Sequence, residues 1–386
     1  MNRKLYRLLI KTVPAPSPAF GAWTGFTPET AFADRLLRVL RRERVQGGVL
    51  ALTRENGEIS AAAFGVDGMR DRRPASPEHA YRCASVSKFV TSAGTLRLAA
   101  AGEIDLDRDI SEDLGYRVRH PKAPEKPITL RLLLAHRAGL RDGESYQAAL
   151  TGRAPLPELL KKPDCYTDHR PEEGFEYSNL GAGMVGAVLE AALRQPFDDI
   201  MRRAILAPAG TEASYQPRQV PGTLADAWRL MPPSRAPLYD AKERLTRPVP
   251  EMDPAFDYLS AHGGLCVTAE ELLKIAAFTR HDAACAAMRV PLSGFGQRDP
   301  YLSEGLGCFI YRDPTLPFAL YGHQGLAYGA VHGLFFRTDA SAGYTGFALL
   351  TSAASEQRDG VVTALNRDLA RLVFYNCTAR KSPINE

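Results

Sequence analysis

The chain has 386 residues, of which 45% are hydrophobic and 24% are charged, so it is long enough to bury a large core. Its formal net charge of +4 is small for this length and no block of lysine and arginine is present, which argues against nucleic acid as a partner. The apolar stretch at residues 8–10 is too short for a secretory signal or a membrane span. We therefore expect a cytoplasmic protein with no membrane partner.

The cysteines are scattered, without Cys-x-x-Cys spacing and without histidines at zinc-binding intervals. Such isolated cysteines are usually buried thiols, so the pattern predicts neither a disulfide framework nor a metal site. We expect chemistry that needs no metal or other cofactor. The six positions are Cys83, Cys165, Cys266, Cys285, Cys308 and Cys377.

The first predicted elements are a helix and a hairpin. Thr27 is a helix-capping residue followed by proline, and residues 31–42 repeat leucine and alanine at helical spacing. Residues 49–53 and 59–64 are β-rich and flank Asn56-Gly57, a turn in which both central positions need a positive φ. A sheet is therefore expected to begin here.

The far end of the chain supplies the partner strands. Residues 329–337 and 344–351 are β-rich runs joined by a turn region at Asp339 and Gly343, and residues 361–375 predict a last helix. The intervening residues 101–262 are helical and rich in loops, with candidate helices at 130–136, 180–193 and 197–206. The pattern predicts an α/β (α+β) fold, in which an antiparallel sheet built from both chain ends is flanked by helices and carries an inserted helical subdomain.

This organisation predicts one domain at residues 27–380, preceded by an N-terminal arm at residues 1–26. Its sheet subdomain comprises residues 27–100 and 263–380, and its helical subdomain residues 101–262. A functional site is expected where the two subdomains meet. Residues 211–260 are rich in proline and lack periodicity, and we expect this segment to border the substrate pocket.

The sequence Ser85-Val86-Ser87-Lys88 lies where a strand region gives way to a helical run. Residues three apart on a helix share a face, so Ser85 is a candidate nucleophile with an amine beside it that can accept its proton. Lys88 can do so only when it is uncharged, and burial or a cationic neighbour can lower a lysine pKa from about 10.4 toward neutrality. The motif therefore predicts a cleft.

Two further triplets strengthen this interpretation, because each short motif alone is common in a chain of this length. Tyr177-Ser178-Asn179 follows in mid-chain and His323-Gln324-Gly325 near the C-terminal end. The same three-part order is found in serine lactamases.

With these motifs the chain resembles the serine β-lactamase and penicillin-binding protein superfamily, most closely its class C-like branch with Ser-x-x-Lys, Tyr-x-Asn and a third Lys/His-x-Gly element. Segments 102–107, 128–136, 138–140, 263–265 and 268–270 also resemble family segments in family order. The resemblance extends from about Thr27 to the C-terminal helix, and it implies the β-lactamase/transpeptidase-like fold.

The resemblance implies that Ser85, Lys88 and Tyr177 are catalytic. Ser85 attacks a carbonyl, and a phenol near an ammonium is expected to ionise below its normal value near 10, so Tyr177 can pass the proton to the leaving group. The sequence leaves open whether Lys88 or Tyr177 is the resting base. Asn179 is expected to hydrogen-bond Lys88 or the substrate.

The third element is expected to be a strand that binds the substrate through His323, Gln324 and Gly325. Gly325 allows the substrate to approach the strand edge closely. By resemblance, the oxyanion hole pairs the backbone N–H groups of Ser85 and Leu326. His323 and Gln324 replace the lysine and the hydroxyl of the Lys-Thr-Gly pattern, which argues away from a dedicated β-lactamase.

We therefore expect a serine hydrolase or acyltransferase that forms an acyl-enzyme on Ser85 and acts on a small ester. A cytoplasmic location also favours small esters or amides over cell-wall peptides. The alternatives are a D-amino-acid peptidase or amidase, and a β-lactamase or DD-carboxypeptidase. A catalytically silent ligand-binding or structural homologue is the alternative without activity. The oligomeric state is left open.

Overall fold

The computed structural model of the protein describes residues 3–13, 18–230, 237–339 and 343–379. No helix in these ranges is long and apolar enough to cross a membrane. The five cysteines whose side chains are described are all buried free thiols.

The described residues form α-helices that we number in chain order. They are α1 (Arg3–Ile10), α2 (Thr30–Arg42), α3 (Val86–Ala100), α4 (Ile110–Leu114), α5 (Leu130–Leu134), α6 (Glu144–Gly152), α7 (Leu156–Leu159), α8 (Asn179–Leu193), α9 (Phe197–Met201), α10 (Ala241–Thr246), α11 (Ala269–His281) and α12 (Ala364–Ala379). Short 3₁₀ turns and one π-helical turn connect some of them.

The strands are numbered in the same way. They are β1 (Gly47–Arg54), β2 (Ile59–Gly65), β3 (Tyr81–Arg82), β4 (Ala227–Trp228), β5 (Pro237–Tyr239), β6 (Cys266–Val267), β7 (Ser293–Gly294), β8 (Leu302–Glu304), β9 (Phe309–Tyr311), β10 (Leu320–Ala327), β11 (Ala330–Phe336) and β12 (Tyr344–Ala353).

In the part of the chain that the structure describes, the large sheet is antiparallel and has eight strands in the order β2-β1-β12-β11-β10-β9-β8-β7. Segments from the two halves of the chain meet within it, where β1 pairs with β12 and Val49 lies opposite Leu350. This confirms the predicted mixed fold with an antiparallel sheet built from both ends and flanked by helices. Residues 101–262 contribute α4–α10 and the separate two-stranded sheet β4-β5.

Helices cover both faces of the sheet, and β1 shows why. Its side chains alternate, so Val49 and Ala51 join the core that includes α3, α8 and α11. Leu50 and Leu52 join the opposite core, which includes residues of α2 and α12. The β1 strand is therefore apolar on both faces, as expected for the middle layer of a three-layer structure.

Some predicted details were wrong. Of the turn pair Asn56-Gly57, only Gly57 has a positive φ (81°), and the Gly57 N–H donates to the Arg54 carbonyl oxygen at 3.1 Å. This matches the three-residue hairpin loop with glycine in the left-handed position. The last helix starts at Ala364, three residues later than the predicted residue 361. The predicted helix at residues 197–206 consists of α9 followed by a π-helical turn, Arg202–Leu206.

The proline-rich segment at residues 211–260 is partly ordered into β4, β5 and α10. Residues 231–236 of this segment lie outside the described ranges, as does the middle of the predicted turn between Asp339 and Gly343.

Candidate active site

Ser85 lies in a tight turn between β3 and α3. It is the N-cap residue of α3, with φ −64° and ψ −8°, and it follows Ala84, which has a φ of 51°. A left-handed backbone is uncommon for a residue with a side chain, and such strain is often found at active sites. Ser85 is partly exposed whereas the first turns of α3 behind it are buried, so the hydroxyl is presented at the surface of a rigid support.

Lys88 lies one turn into the same helix and is only 3% exposed. Burial lowers its pKa to about 7, although the negative charge of Asp142 opposes this shift. Its Nζ atom is 3.0 Å from Ser85 Oγ, 2.7 Å from Asn179 Oδ1 and 2.9 Å from the His262 carbonyl oxygen. A substantial fraction of Lys88 is therefore uncharged near neutral pH, as the proposed role next to Ser85 requires.

Two of the three Lys88 partners can only accept a hydrogen bond. An uncharged Lys88 has two N–H groups, which are used by Asn179 Oδ1 and the His262 carbonyl oxygen. Its lone pair is then left for the Ser85 hydroxyl, which donates. The arrangement sets the direction of proton transfer from Ser85 to Lys88.

Asp142 fixes the orientation of the Asn179 amide. Its carboxylate accepts hydrogen bonds from the Asn179 backbone N–H at 3.0 Å and from Asn179 Nδ2 at 2.7 Å. It also accepts from the Leu180 N–H at 3.0 Å and the Ser178 hydroxyl at 3.1 Å. The Nδ2 side of the amide is thus turned to Asp142, and its oxygen to Lys88.

Tyr177 lies against Lys88, with Nζ 5.1 Å from the centre of its ring. The nearby Ser85 hydroxyl acts to lower the pKa of this phenol. The other face of the site is formed by His136, whose ring lies 4.4 Å from that of Tyr177. Desolvation raises the pKa of Tyr177 above its usual value near 10, so the expectation that this phenol ionises more easily was wrong.

His323 was expected to bind the substrate in the cleft. Its side chain is instead buried against Tyr177 and Phe309. Its Nδ1 atom is 2.6 Å from the Gln324 carbonyl oxygen, which can only accept, so Nδ1 carries the hydrogen. Nε2 is then free to accept from the Tyr177 hydroxyl at 3.4 Å. Burial and the nearby Lys88 lower the pKa of His323 to about 3, so the ring is uncharged.

Gln324 does not take the position expected of a substrate-binding residue. Its Nε2 donates to the Val361 carbonyl oxygen at 2.8 Å, and its Oε1 accepts from the Thr363 N–H at 2.9 Å. Both ends of the amide are therefore used to hold the segment before α12. Successive residues of a strand face opposite sides, which explains why Gln324 and His323 do not share a surface.

Gly325 lies beneath the turn that carries the nucleophile. A Cβ atom at this position would overlap the Cys83 carbonyl oxygen and come within 3.3 Å of Ala84 Cβ. Glycine is needed here because the chain itself approaches the strand, a reason different from the expected approach of substrate. Strand β9 pairs with β10 only as far as Gly322, so the following residues up to the partly exposed Leu326 face the start of α3.

The family model described as Beta-lactamase matches residues 32–372. The chain belongs to the Beta-lactamase family. This confirms the family resemblance deduced from the three motifs.

Among curated members, esterase EstB of Burkholderia gladioli is 25% identical over 363 residues, which cover 86% of this chain and 92% of EstB. A protein described as a fimbrial assembly protein, FimD of serogroup D from Dichelobacter nodosus, is 32% identical over 157 residues, or 38% of each chain. The chain thus matches little more than a third of the length of several curated relatives. In fold it is similar to a D-amino acid amidase from Ochrobactrum anthropi SV3, with a TM-score of 0.70, 20% identity and coverage of 91% of this chain and 100% of the amidase.

Several residues of this Beta-lactamase family site were not predicted. Asp142 and His262 complete the surroundings of Lys88, and His136, with a φ of 55°, accepts from the Ser178 N–H through Nδ1 at 3.1 Å. Asp142 follows a Gly-Leu-Arg loop sequence, and no spacing signal connects it to Asn179.

Glu304 is the remaining unpredicted group close to Lys88. Its side chain is fully buried, and neither carboxyl oxygen has a hydrogen-bond partner among the described residues. Burial raises the pKa of Glu304 well above its usual range, whereas the nearby Lys88 acts to lower it. In turn, the Glu304 carboxyl, like Asp142, opposes the lowering of the Lys88 pKa by burial.

Proposed function

We propose that the protein is a serine hydrolase or acyltransferase that forms a covalent acyl-enzyme on Ser85, with small esters as its substrates. The observation that carries this proposal is the hydrogen bonding of Lys88. Both N–H groups of the uncharged amine are used by acceptors, so its lone pair serves the Ser85 hydroxyl. A lysine pKa of about 7 makes this form abundant at neutral pH.

In the first step, Ser85 Oγ attacks the ester carbonyl while its proton moves to Lys88 Nζ. The resulting ammonium keeps Asn179 Oδ1 and the His262 carbonyl oxygen as acceptors for two of its hydrogens. The backbone N–H groups of Ser85 and Leu326 are the proposed hydrogen-bond donors that stabilise the negative charge on the substrate oxygen. Loss of one such donor typically slows a reaction by about 10²-fold or more.

Tyr177 is the proposed proton donor to the leaving group. Its pKa is raised, so it holds its proton at neutral pH, and its hydroxyl lies near Ser85 and 3.4 Å from His323 Nε2. As the ester C–O bond breaks, the Tyr177 proton passes to the leaving oxygen and the Lys88 ammonium returns a proton to the phenolate. Water then attacks the acyl-enzyme by the reverse path, or a second alcohol does so when the acyl group is transferred.

The surroundings of the leaving group favour esters over penicillins. His323, which lies behind Tyr177 on the leaving-group side, is uncharged, and the Gln324 amide is used by the backbone before α12, so neither residue supplies a positive charge for a substrate carboxylate. The match to esterase EstB along nearly its whole length supports the same choice.

The test is intact mass spectrometry of the purified protein after exposure to short-chain nitrophenyl esters, D-amino-acid amides and benzylpenicillin. The proposal expects an acyl adduct from the esters that is absent in Ser85→Ala. An adduct from the amides alone would support the amidase alternative. No adduct and no turnover with any of the three classes would instead support a catalytically silent homologue.

A further inference from the structure

A guanidinium group lies beside the nucleophile and has no part in the chemistry described so far. Arg82 ends β3, three residues before Ser85, and its side chain is partly exposed. A Cβ atom on Gly263 would lie 3.1 Å from Arg82 Nη2 and 3.7 Å from the carbonyl carbon of Ala84. Arg82 Nη2 is therefore no more than about 7 Å from the turn that carries Ser85.

Aromatic rings hold this guanidinium in place. Arg82 Cζ lies 5.2 Å from the centre of the Tyr328 ring and 5.7 Å from that of Tyr239, and the two rings stack on each other at 6.2 Å. Within the described ranges, Arg82 has neither an ion-pair partner nor a hydrogen-bond acceptor for its side chain. Contact with ring faces leaves the N–H edge of a guanidinium available for another partner.

Arg82 lies on the acyl side of the nucleophile. The turn before Ser85 crosses β10 at Gly325, and the proposed proton donor Tyr177 contacts His323 on one side of that point. The leaving group must face this side to receive its proton. Tyr328, which contacts Arg82, follows β10 on the opposite side, about 10 Å along the strand from Gly325 at ~3.3 Å per residue.

Tyr328 is held in an unusual conformation for a large aromatic residue. Its φ is 58° and 37% of its surface is exposed, while a Cβ on the next residue, Gly329, would overlap the carbonyl oxygen of Trp228. Tyr328 and Gly329 are the two central residues of the turn that joins β10 to β11, where Ala327 pairs with Ala330, and such a hairpin turn requires a positive φ at both positions. The turn therefore fixes the Tyr328 backbone at the edge of the site. Here Tyr328 forms one wall around the guanidinium.

We propose that Arg82, with Tyr239 and Tyr328, forms a subsite for a carboxylate at the far end of the acyl group. The planar guanidinium offers two parallel N–H groups, which match the two oxygens of a carboxylate. The preferred substrates are then monoesters of short dicarboxylic acids. The proposal rests on the function proposed above, because it places the acyl group from the positions of Ser85 and Tyr177.

The test compares 4-nitrophenyl hydrogen glutarate with 4-nitrophenyl valerate, whose acyl chains have the same number of carbons but differ in charge. The ratio of their kcat/KM values is measured for the natural protein, Arg82→Gln, Arg82→Lys and the control Arg54→Gln. Arg54 lies over the Phe26 ring at the β1–β2 turn. Its replacement by glutamine removes the same charge at a distance from the site. Because Arg82 also contributes to lowering the Lys88 pKa, the ratio within each variant is used, so that changes in the base cancel.

We expect the glutarate ester to be preferred at least about 10-fold by the natural protein and by Arg54→Gln, and the preference to be lost in Arg82→Gln. Arg82→Lys should retain only part of it, and added salt should reduce it. Equal ratios for the natural protein and Arg82→Gln would overturn the subsite while leaving the proposed ester hydrolysis intact.

A binding measurement separates the two proposals fully. Calorimetry with monomethyl glutarate and methyl valerate on Ser85→Ala needs no turnover. Binding of the anionic ester at least about 10-fold tighter, lost on adding Arg82→Gln, supports the subsite even if Ser85 proves inactive, and equal binding of both esters overturns it.

Discussion

Asp142 holds Asn179 through both its backbone N–H and its side-chain Nδ2, at 3.0 and 2.7 Å. Because Nδ2 is committed to Asp142, the amide oxygen is the atom that Lys88 meets at 2.7 Å. A carboxylate that touches neither the lysine nor the serine thus determines which way the lysine lone pair points.

Replacing Asp142 with asparagine should disturb this arrangement. The new amide accepts through one oxygen only, so Asn179 can turn its Nδ2 toward Lys88, and we expect kcat to fall at least about 10-fold. Loss of the negative charge should also lower the Lys88 pKa, since Asp142 now raises it. Steady-state rates measured across pH should show a lower plateau and an acid limb moved to lower pH. An unchanged plateau, or a limb moved to higher pH, would contradict the positioning role, and the melting temperature shows whether the variant is folded.

The pH dependence of the natural protein follows from the same lysine. The active form of Lys88 is uncharged and its pKa is about 7, so kcat/KM for an ester should rise about tenfold per pH unit below 7 and level off above 8. The raised pKa of Tyr177 predicts that no falling limb begins below pH 10. If the rate kept rising steadily from pH 8 to 10, a group other than Lys88 would be the base.

Ser85→Ala should abolish covalent labelling by fluorophosphonates and esters while the protein stays folded, because the Ser85 side chain makes no capping hydrogen bond to α3. Ser87→Ala is the matched control. The Ser87 hydroxyl accepts from the Leu265 N–H at 3.1 Å in the buried core, so this variant should lose stability, by about 1 kcal/mol, but keep its label. Peptide mapping that finds the label on another serine would rule out Ser85 as the nucleophile.

Lys88→Ala and Tyr177→Phe should each reduce ester turnover by orders of magnitude, and the double variant should lose little more. Groups that move one proton along a shared path act as a unit, so their effects do not multiply. A double-mutant cycle on a single nitrophenyl ester measures this directly. Two effects that multiply would show that the residues act in separate steps.

Neutral short-chain esters should be better substrates than benzylpenicillin. His323 is uncharged and Gln324 binds the backbone near α12, so neither residue supplies a positive charge for the penicillin carboxylate in place of the lysine and hydroxyl of the lactamase pattern. We expect kcat/KM for the ester to exceed that for benzylpenicillin by at least about 10²-fold, or roughly 2.7 kcal/mol of transition-state binding. Efficient hydrolysis of benzylpenicillin by the purified protein would be incompatible with this explanation.

The parts of the site that follow from local sequence were the ones that sequence analysis could predict. Ser85 and Lys88 are three residues apart on one helix, and their contact at 3.0 Å is a consequence of helical geometry. The contact between Asn179 and Lys88 agreed with the expectation drawn from the family motif. Asp142 and His262 could not be predicted, because their contacts depend on how distant loops close around α3.

Two errors have clear physical causes. The direction of the Tyr177 pKa shift depends on desolvation, which a sequence does not show. Gln324 was assigned to the cleft together with His323, although neighbouring residues of a strand point to opposite sides.

In the fold, the long strands β1, β2, β11 and β12 were predicted, but β7, β8 and β9 have only two or three residues each and are too short to give a periodic pattern.

The pairing of β1 with β12 also has a consequence for how the protein forms during synthesis. Val49 pairs with Leu350, about 300 residues later, so β1 and β2 leave the ribosome long before their partner exists. The nucleophile turn likewise meets its supporting strand only after Gly325 has been made. Contacts between residues so far apart in sequence form slowly, and the edge of the unpaired strand stays exposed until they do. The nascent chain should therefore need protection from aggregation, and a product that stops between α3 and β10 should contain Ser85 and Lys88 but no functioning site.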